Sequence, residues 1–329
     1  MSRGAKVAAA VAIVLLFLLA VIIITQPKEE TVVTNEERLA AIPSSAEKMG
    51  PEDDEFAPVV HSPLWSQPVP MEGPVNTAGA EDSPFMSADG DWFFFFFTPD
   101  VTVPVQEQLL DGVTGIWWTR EVSGDWTPPE KIVLNDDVSL EGAECCVGTT
   151  LWFASVRAGN FGEIDVFTAQ YEGGTWTDVE NAGEQLNVDY DIGEFHVMPN
   201  GTMMYFHSGS WDSGDSMDIW STVKVGDLWS TPVRVEGINT DEDEGFPYVT
   251  PDGSELWFTA NSRLGEGYTG PAIFRSVKQS DGTWGEPEEI ISNFAGEPTL
   301  DDDGNIYFVH HYYVDGDMVE ADIYVAMKN

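Results

Sequence analysis

A tryptophan motif that returns at near-even spacing constrains this chain more than any other feature. It reads "LWSQPVP" at Trp65, "DWTPPEKI" at Trp126, "TWTDVENA" at Trp176, "LWSTPVRV" at Trp229 and "TWGEPEEI" at Trp284. The spacings are 61, 50, 53 and 55 residues, a period that suits one propeller blade per repeat. Two aromatic segments recur in phase with it. One runs "DWFFFFFT", "TLWFASV", "TMMYFHS", "ELWFTAN", "NIYFVHH"; the other runs "GIWWTREV", "IDVFTAQY", "MDIWSTVK", "AIFRSVKQ", "ADIYVAMK". A less regular segment precedes each pair and ends in Asp-Gly or Asn-Gly in four of the five repeats, a tight-turn signal.

Each repeat therefore predicts an inner strand, a turn, an aromatic strand, a loop, a third strand, a turn and a Trp strand. The chain ends on a third strand, "ADIYVAMKN", while the Trp65 motif stands alone at the front. The expected fold class is all-β: a five-bladed β-propeller with four-stranded antiparallel blades over residues 59–329. The N-terminal strand closes the last blade. In-phase aromatics such as Trp152, Tyr205, Trp257 and Tyr307 are expected in the core.

The segments "LWFASVRAGNFGEIDVFTAQ" (151–170) and "VTPDGSELWFTANSRLGEG" (249–267) resemble the PD40, or WD40-like, repeats of the TolB-type β-propeller family. That family carries a Pro-Asp-Gly turn, a "YFaSdR" strand, a Gly-rich loop and a "DIY" strand. The resemblance spans roughly residues 60–329 and is weakest in the first repeat, where "TPDVTVPVQEQLLDG" replaces the Gly-rich loop. Six blades are usual in the family, and five repeats depart from that. The resemblance implies extracytoplasmic binding or scaffolding rather than catalysis.

Residues 7–24, "VAAAVAIVLLFLLAVIII", are apolar throughout, with Arg3 and Lys6 ahead of them. A helix of this length spans about 27 Å at ~1.5 Å per residue, enough for a bilayer core. No A-x-A cleavage site follows, so residues 1–25 read as an uncleaved signal anchor and transmembrane helix. The N-terminus would lie in the cytoplasm and the propeller outside, on a single-pass membrane protein. Residues 26–58 are polar and acidic with scattered Pro and read as a disordered acidic linker, with a short helix at "TNEERLAAI".

The chain holds 57 Asp+Glu against 14 Lys+Arg, a net charge of −43. Nucleic acid is excluded as a partner, because phosphate neutralisation needs a basic surface. The simplest reading of the acidity is a solvated surface screened by salt, with cation binding as the sharper alternative.

The expected function is a membrane-anchored binding or scaffold module for a protein or glycan partner. The loop-rich face would carry it, through segments 98–114, 156–163, 208–217, 261–270 and 310–320. Loop aromatics Trp211, Tyr268, Tyr312 and Tyr313 do not recur in phase, so they are expected at that surface. Glu194 and Glu297 share a register on their inner strands, and His196 follows Glu194 by two residues toward the same channel. These are expected as ligand-binding residues.

The alternative is a glycan-active hydrolase using Glu81, Glu144 and Glu194 as channel carboxylates, as in five-bladed arabinanase-like glycosidases. The sequence patterns of those families are absent around these residues. No cofactor is required by the spacing, and calcium at the carboxylates is the one cofactor weighed. His310 and His311 read as ordinary strand histidines, since no zinc spacing exists. Cys145 and Cys146 are the only cysteines and adjacent, so they stay reduced or form a strained vicinal disulfide. "NGT" at Asn200–Thr202 is a glycosylation sequon in an exposed turn.

Overall fold

The computed structural model describes residues 32–134, 139–187, 192–209 and 216–329. The chain divides into two units, Met1–Val32 and Val33–Asn329, and every element below belongs to the second.

Five antiparallel meanders follow one another. Their first strands are Ala80–Met86, Leu140–Val147, Ile192–Val197, Glu244–Val249 and Ala295–Leu300. Their second strands are Trp92–Thr98, Thr150–Val156, Met203–Ser208, Glu255–Asn261 and Ile306–Val314. Their third strands are Gly115–Val122, Asp165–Glu172, Asp218–Val225, Pro271–Val277 and Asp317–Ala326. The second strands are apolar on both faces because both are covered. In "WFFFFFT", Phe93, Phe94, Phe95 and Phe97 are all sealed from solvent. Trp152, Tyr205 and Trp257 are buried, while Tyr307 is half-buried and leans on Phe93.

The expected propeller of five separate four-stranded blades is corrected by the pairing. Among the described residues the strands form four open sheets, three of five, four and five strands and one of nine, and none closes on itself. Two physical reasons are visible. Ala321 pairs in parallel with Ala80, which fuses the last meander to the first. The outermost strand is also broken wherever Pro follows the tryptophan, because Pro has no N–H to donate. "DWTPPEK" gives only Asp125–Trp126 and Glu130–Lys131, and "LWSTPVR" only Leu228–Trp229 and Val233–Arg234. "TWTDVEN", with no Pro, is one seven-residue strand, Thr175–Asn181. At the front, Val69–Pro70 pairs with the last strand, Trp65 bridges Lys328, and Val59–Val60 joins Glu288–Ser292.

The membrane anchor expected at 7–24 lies outside the described residues. Among those described, no helix is long and apolar enough to cross a membrane. The transmembrane helix, the single-pass placement and the membrane partner find no support among the described helices, and the reading as a membrane-anchored scaffold is not carried further.

The segment expected as a disordered linker is docked from residue 33 onward. Thr34 caps the helix Asn35–Ala41 in a reciprocal box with Glu37, and Pro43 follows its end. The helix exists to deliver Arg38, whose side chain is fully buried under the rings of Phe95 and Phe97. Arg38 Nη2 donates to Glu81 Oε1 and to the Val75 carbonyl, each at 2.5 Å. Further on, Lys48 pairs with Glu320 and, at 2.5 Å, with Asp322. Asp54 Oδ2 sits 2.9 Å from His310 Nε2. Composition hides these anchors because each is a single charged residue meeting a distant partner.

Candidate functional site

The site begins with a defect repeated five times. In every first strand the register slips at the same point: between Asp82 and Phe85, Gly142 and Cys145, Ile192 and Phe195, Gly245 and Tyr248, and Gly296 and Thr299. Each slip is a β-bulge, which adds a residue and re-aims the side chains around it. Ser83, Ala143, Phe246 and Glu297 take φ of +47°, +55°, +53° and +55° there, a conformation that costs a non-glycine residue of order 1–3 kcal/mol. Such strain gathers at functional sites.

The bulges place Ser83, Glu144, Glu194, Phe246 and Glu297, one from each first strand, around a cavity of about 40 Å³. A larger cleft of about 360 Å³ adjoins it and shares Ser83, Glu194 and Phe246. Its walls are mostly apolar, including Phe96, Leu140, Val156 and Ile164. The inner cavity has room for an ion or a few waters; the cleft falls in the ~300–1,000 Å³ range of small-molecule sites.

Three carboxyl groups line the cavity, a fourth, Asp82, precedes Ser83 in the chain, and their acidities diverge. Burial pushes the Glu194 carboxyl up to about 8, helped by the charge of Asp82 and opposed by the Ser83 hydroxyl, which donates to Oε1 at 3.2 Å. Burial, then Asp82 and Glu194, hold Glu297 well above the carboxylate range. Burial and then Glu194 do the same to Glu144, of which neither oxygen has a hydrogen-bond partner. Asp82 goes the other way. Burial raises it, but the His311 ring, the Ser83 N–H and Glu297 outweigh burial and hold it below its usual range. His311 Nε2 lies 3.6 Å from Asp82 Oδ2, and the Ser83 N–H donates to Oδ1 at 2.9 Å.

Two neutral histidines frame the cluster. His196 accepts the Val249 N–H at Nδ1 over 2.8 Å and stacks on Tyr248. Burial holds its pKa down at about 3. The His207 ring lies between the N–H of Phe246, 3.1 Å from Nδ1, and the N–H of Glu194, 3.3 Å from Nε2. A neutral ring accepts at one of these nitrogens at a time, and burial takes its pKa down to about 4. Residue 193 must be glycine beside it, since a Cβ there would meet His207 Nε2 at 2.0 Å.

Glu144, Glu194, His196 and Glu297 thus meet at one cavity, but Glu81, Tyr268, Tyr312 and Tyr313 lie away from it. Glu81 is sealed against Arg38 and takes the Thr77 N–H at 2.8 Å, away from the cavity. Tyr312, expected on a binding loop, is wholly buried inside Ile306–Val314, with its hydroxyl 2.7 Å from that of Tyr324. Tyr268 is half-buried against His61. Trp211 lies outside the described residues. Tyr313 packs on Phe294 with ring centres 4.3 Å apart. Sequence reasoning missed Asp82, His207 and His311. A usable signal was Pro84, Pro247 and Pro298, since proline inside a strand marks a bulge.

Cys145 and Cys146 carry free buried thiols. Among the described residues, no three His, Cys, Asp or Glu side chains are placed to hold a metal ion.

No family model matches the chain, and no curated protein does. Solved structures give a distant likeness to TolB and other β-rich proteins. TolB from Acinetobacter baumannii is 12% identical, with a TM-score of 0.41 over 77% of this chain. This chain spans only 55% of that TolB's length. An endo-arabinase from Bacteroides thetaiotaomicron is 15% identical, with a TM-score of 0.47 over 78% of this chain and 96% of that one. A levansucrase from Gluconacetobacter diazotrophicus is 10% identical, with a TM-score of 0.45 over 88% of this chain and 89% of that one. At such scores the likeness stops at β-rich architecture and says nothing of function.

Proposed function

We propose that this protein hydrolyses glycosidic bonds, with Asp82 as the ionised carboxylate and Glu194 as the general acid. One observation carries the reading: two neighbouring carboxyls whose acidities are pushed apart, one of which, Glu194, lines the cleft. Asp82 is held ionised and Glu194 is held protonated to about pH 8. Such a split assigns acid and base roles on one site. Glycoside hydrolysis is a chemistry that a pair of carboxyls of opposite protonation state performs. Glu194 lines both the cleft and the inner cavity, so an acid there reaches a bond held in the cleft. Glu297, kept protonated beside Asp82, adds a hydrogen-bond donor rather than a second negative charge.

The test is release of reducing ends from a panel of oligosaccharides and aryl glycosides. Asp82→Asn should abolish turnover. Glu194→Gln should lose about 10²–10⁴ on ordinary glycosides, the range of acid catalysis, yet keep activity on dinitrophenyl glycosides, whose leaving group needs no proton. No turnover across the panel, or turnover indifferent to both substitutions, sinks the reading.

A further inference from the structure

We propose that the ligand of this cleft carries a protonated amine, in glycan terms an amino sugar with a free ammonium group, seated against Glu144 and Glu297. The proposal deepens the glycan reading of the cleft and rests on it.

The inner cavity is lined by acceptors that lack donors. Glu144 is 4% exposed, lines the cavity, and neither of its oxygens has a partner. Glu297 Oε2 is likewise buried without one. An unmet buried polar group is costly, and protonating Glu144 does not remove the problem. The new O–H would itself lack an acceptor. What the cavity lacks is a donor that brings several N–H bonds and needs no acceptor in return. A primary ammonium has three donors and no acceptor. A water-sized group needs ~10–15 Å³ of such cavity space, so the ammonium also fits.

Metal ions match less well, because no three of these groups are placed to ligate one among the described residues. The surrounding rings of Phe195, Phe246 and Tyr248 suit a cation further. The adjoining cleft supplies apolar walls for the sugar body. Neither space is lined by Lys or Arg, and nearby Arg157 is engaged by Glu141. A uronate, sulfate or sialate would thus be desolvated against carboxyl groups with no counter-charge.

The test is calorimetric titration with three short oligomers: fully deacetylated glucosamine, N-acetylglucosamine and galacturonate. High salt screens the general pull of a −43 chain on any cation. The deacetylated oligomer should bind at least about tenfold tighter than its N-acetylated form, the usual return on charge-assisted hydrogen bonds, and the galacturonate should not bind. Glu144→Gln and Glu297→Gln should each remove that preference. Should Glu144→Gln fail to fold, Glu297→Gln alone decides. Equal binding of the two glucosamine forms, or a preference that survives substitution, overturns the proposal. Hydrolysis is scored separately. Preferential binding without turnover supports this inference while removing the hydrolase reading; turnover of neutral glycans without the preference does the reverse.

Discussion

Arg38 and Glu81 form an ion pair at 2.5 Å with both side chains completely buried. Forty-three residues separate them, and the pair ties the N-terminal segment to the first strand of the first meander. Breaking a buried pair from one side leaves the other charge stranded, at about 3–5 kcal/mol. Arg38→Met should therefore lower unfolding stability in urea by roughly that much. The double variant Arg38→Met with Glu81→Gln should recover part of the loss. If Arg38→Met unfolds at the native urea midpoint, the segment is not docked as described.

Activity should follow the two carboxyls. The competent form has Asp82 ionised and Glu194 protonated. Asp82 ionises below the usual carboxylate range, and Glu194 releases its proton near pH 8. The profile of kcat/KM should be flat from mildly acidic to neutral pH and fall about tenfold per pH unit above 8. An optimum confined to alkaline pH would rule out Glu194 as the acid.

Stability should respond to pH with a defined sign. Glu144, Glu194 and Glu297 are all raised in the fold, so the folded state keeps protons that the unfolded chain releases near pH ~4.3. Their contribution is complete below that value and is lost as pH rises through the folded pKa. Across pH ~5 to 8 the melting temperature should fall. Glu194→Gln removes one of these titrations and should flatten the slope. An unchanged slope in that variant would mean that Glu194 does not hold its proton in the fold.

Tyr312 and Tyr268 should separate core from surface. Tyr312 is fully buried, so Tyr312→Ala should destabilise by about 3–5 kcal/mol, like Trp257→Ala. Tyr268 rests on His61 with part of its ring open, and Tyr268→Ala should move stability by about 1 kcal/mol or less. Thermal melts of the three variants check this; a Tyr312→Ala melt matching that of Tyr268→Ala would place Tyr312 at the surface.

The order of strands was readable because aromatic alternation is local and period-two. The register shared by Glu194 and Glu297 in the sequence did not survive: Glu194 is the second residue of its bulge and Glu297 the first of its own. Asp82 was not readable. Counting by twos through an uninterrupted strand selects Glu81, and the bulge at Ser83–Pro84 invalidates the count. Glu81 is also claimed by Arg38, a contact with no local signature. Tyr312 was misplaced because "HHYYV" reads as loop when the strand is cut at its histidines. In the fold the strand runs on to Val314. The sheet count failed at a single parallel pairing, Ala321 with Ala80, which no motif encodes.

The five bulges have an evolutionary consequence. Each offers two neighbouring positions, occupied by Ser-Pro, Ala-Glu, Gly-Glu, Phe-Pro and Glu-Pro. Those positions stand outside the ladder that holds each meander together. Gly193 apart, which the His207 ring holds to glycine, exchanging residues there alters what the cavity recognises while the aromatic second strands, and the stability they supply, stay as they are. The architecture separates the inheritance of a scaffold from the inheritance of a chemistry, so descendants of this chain could change substrates without relearning how to fold.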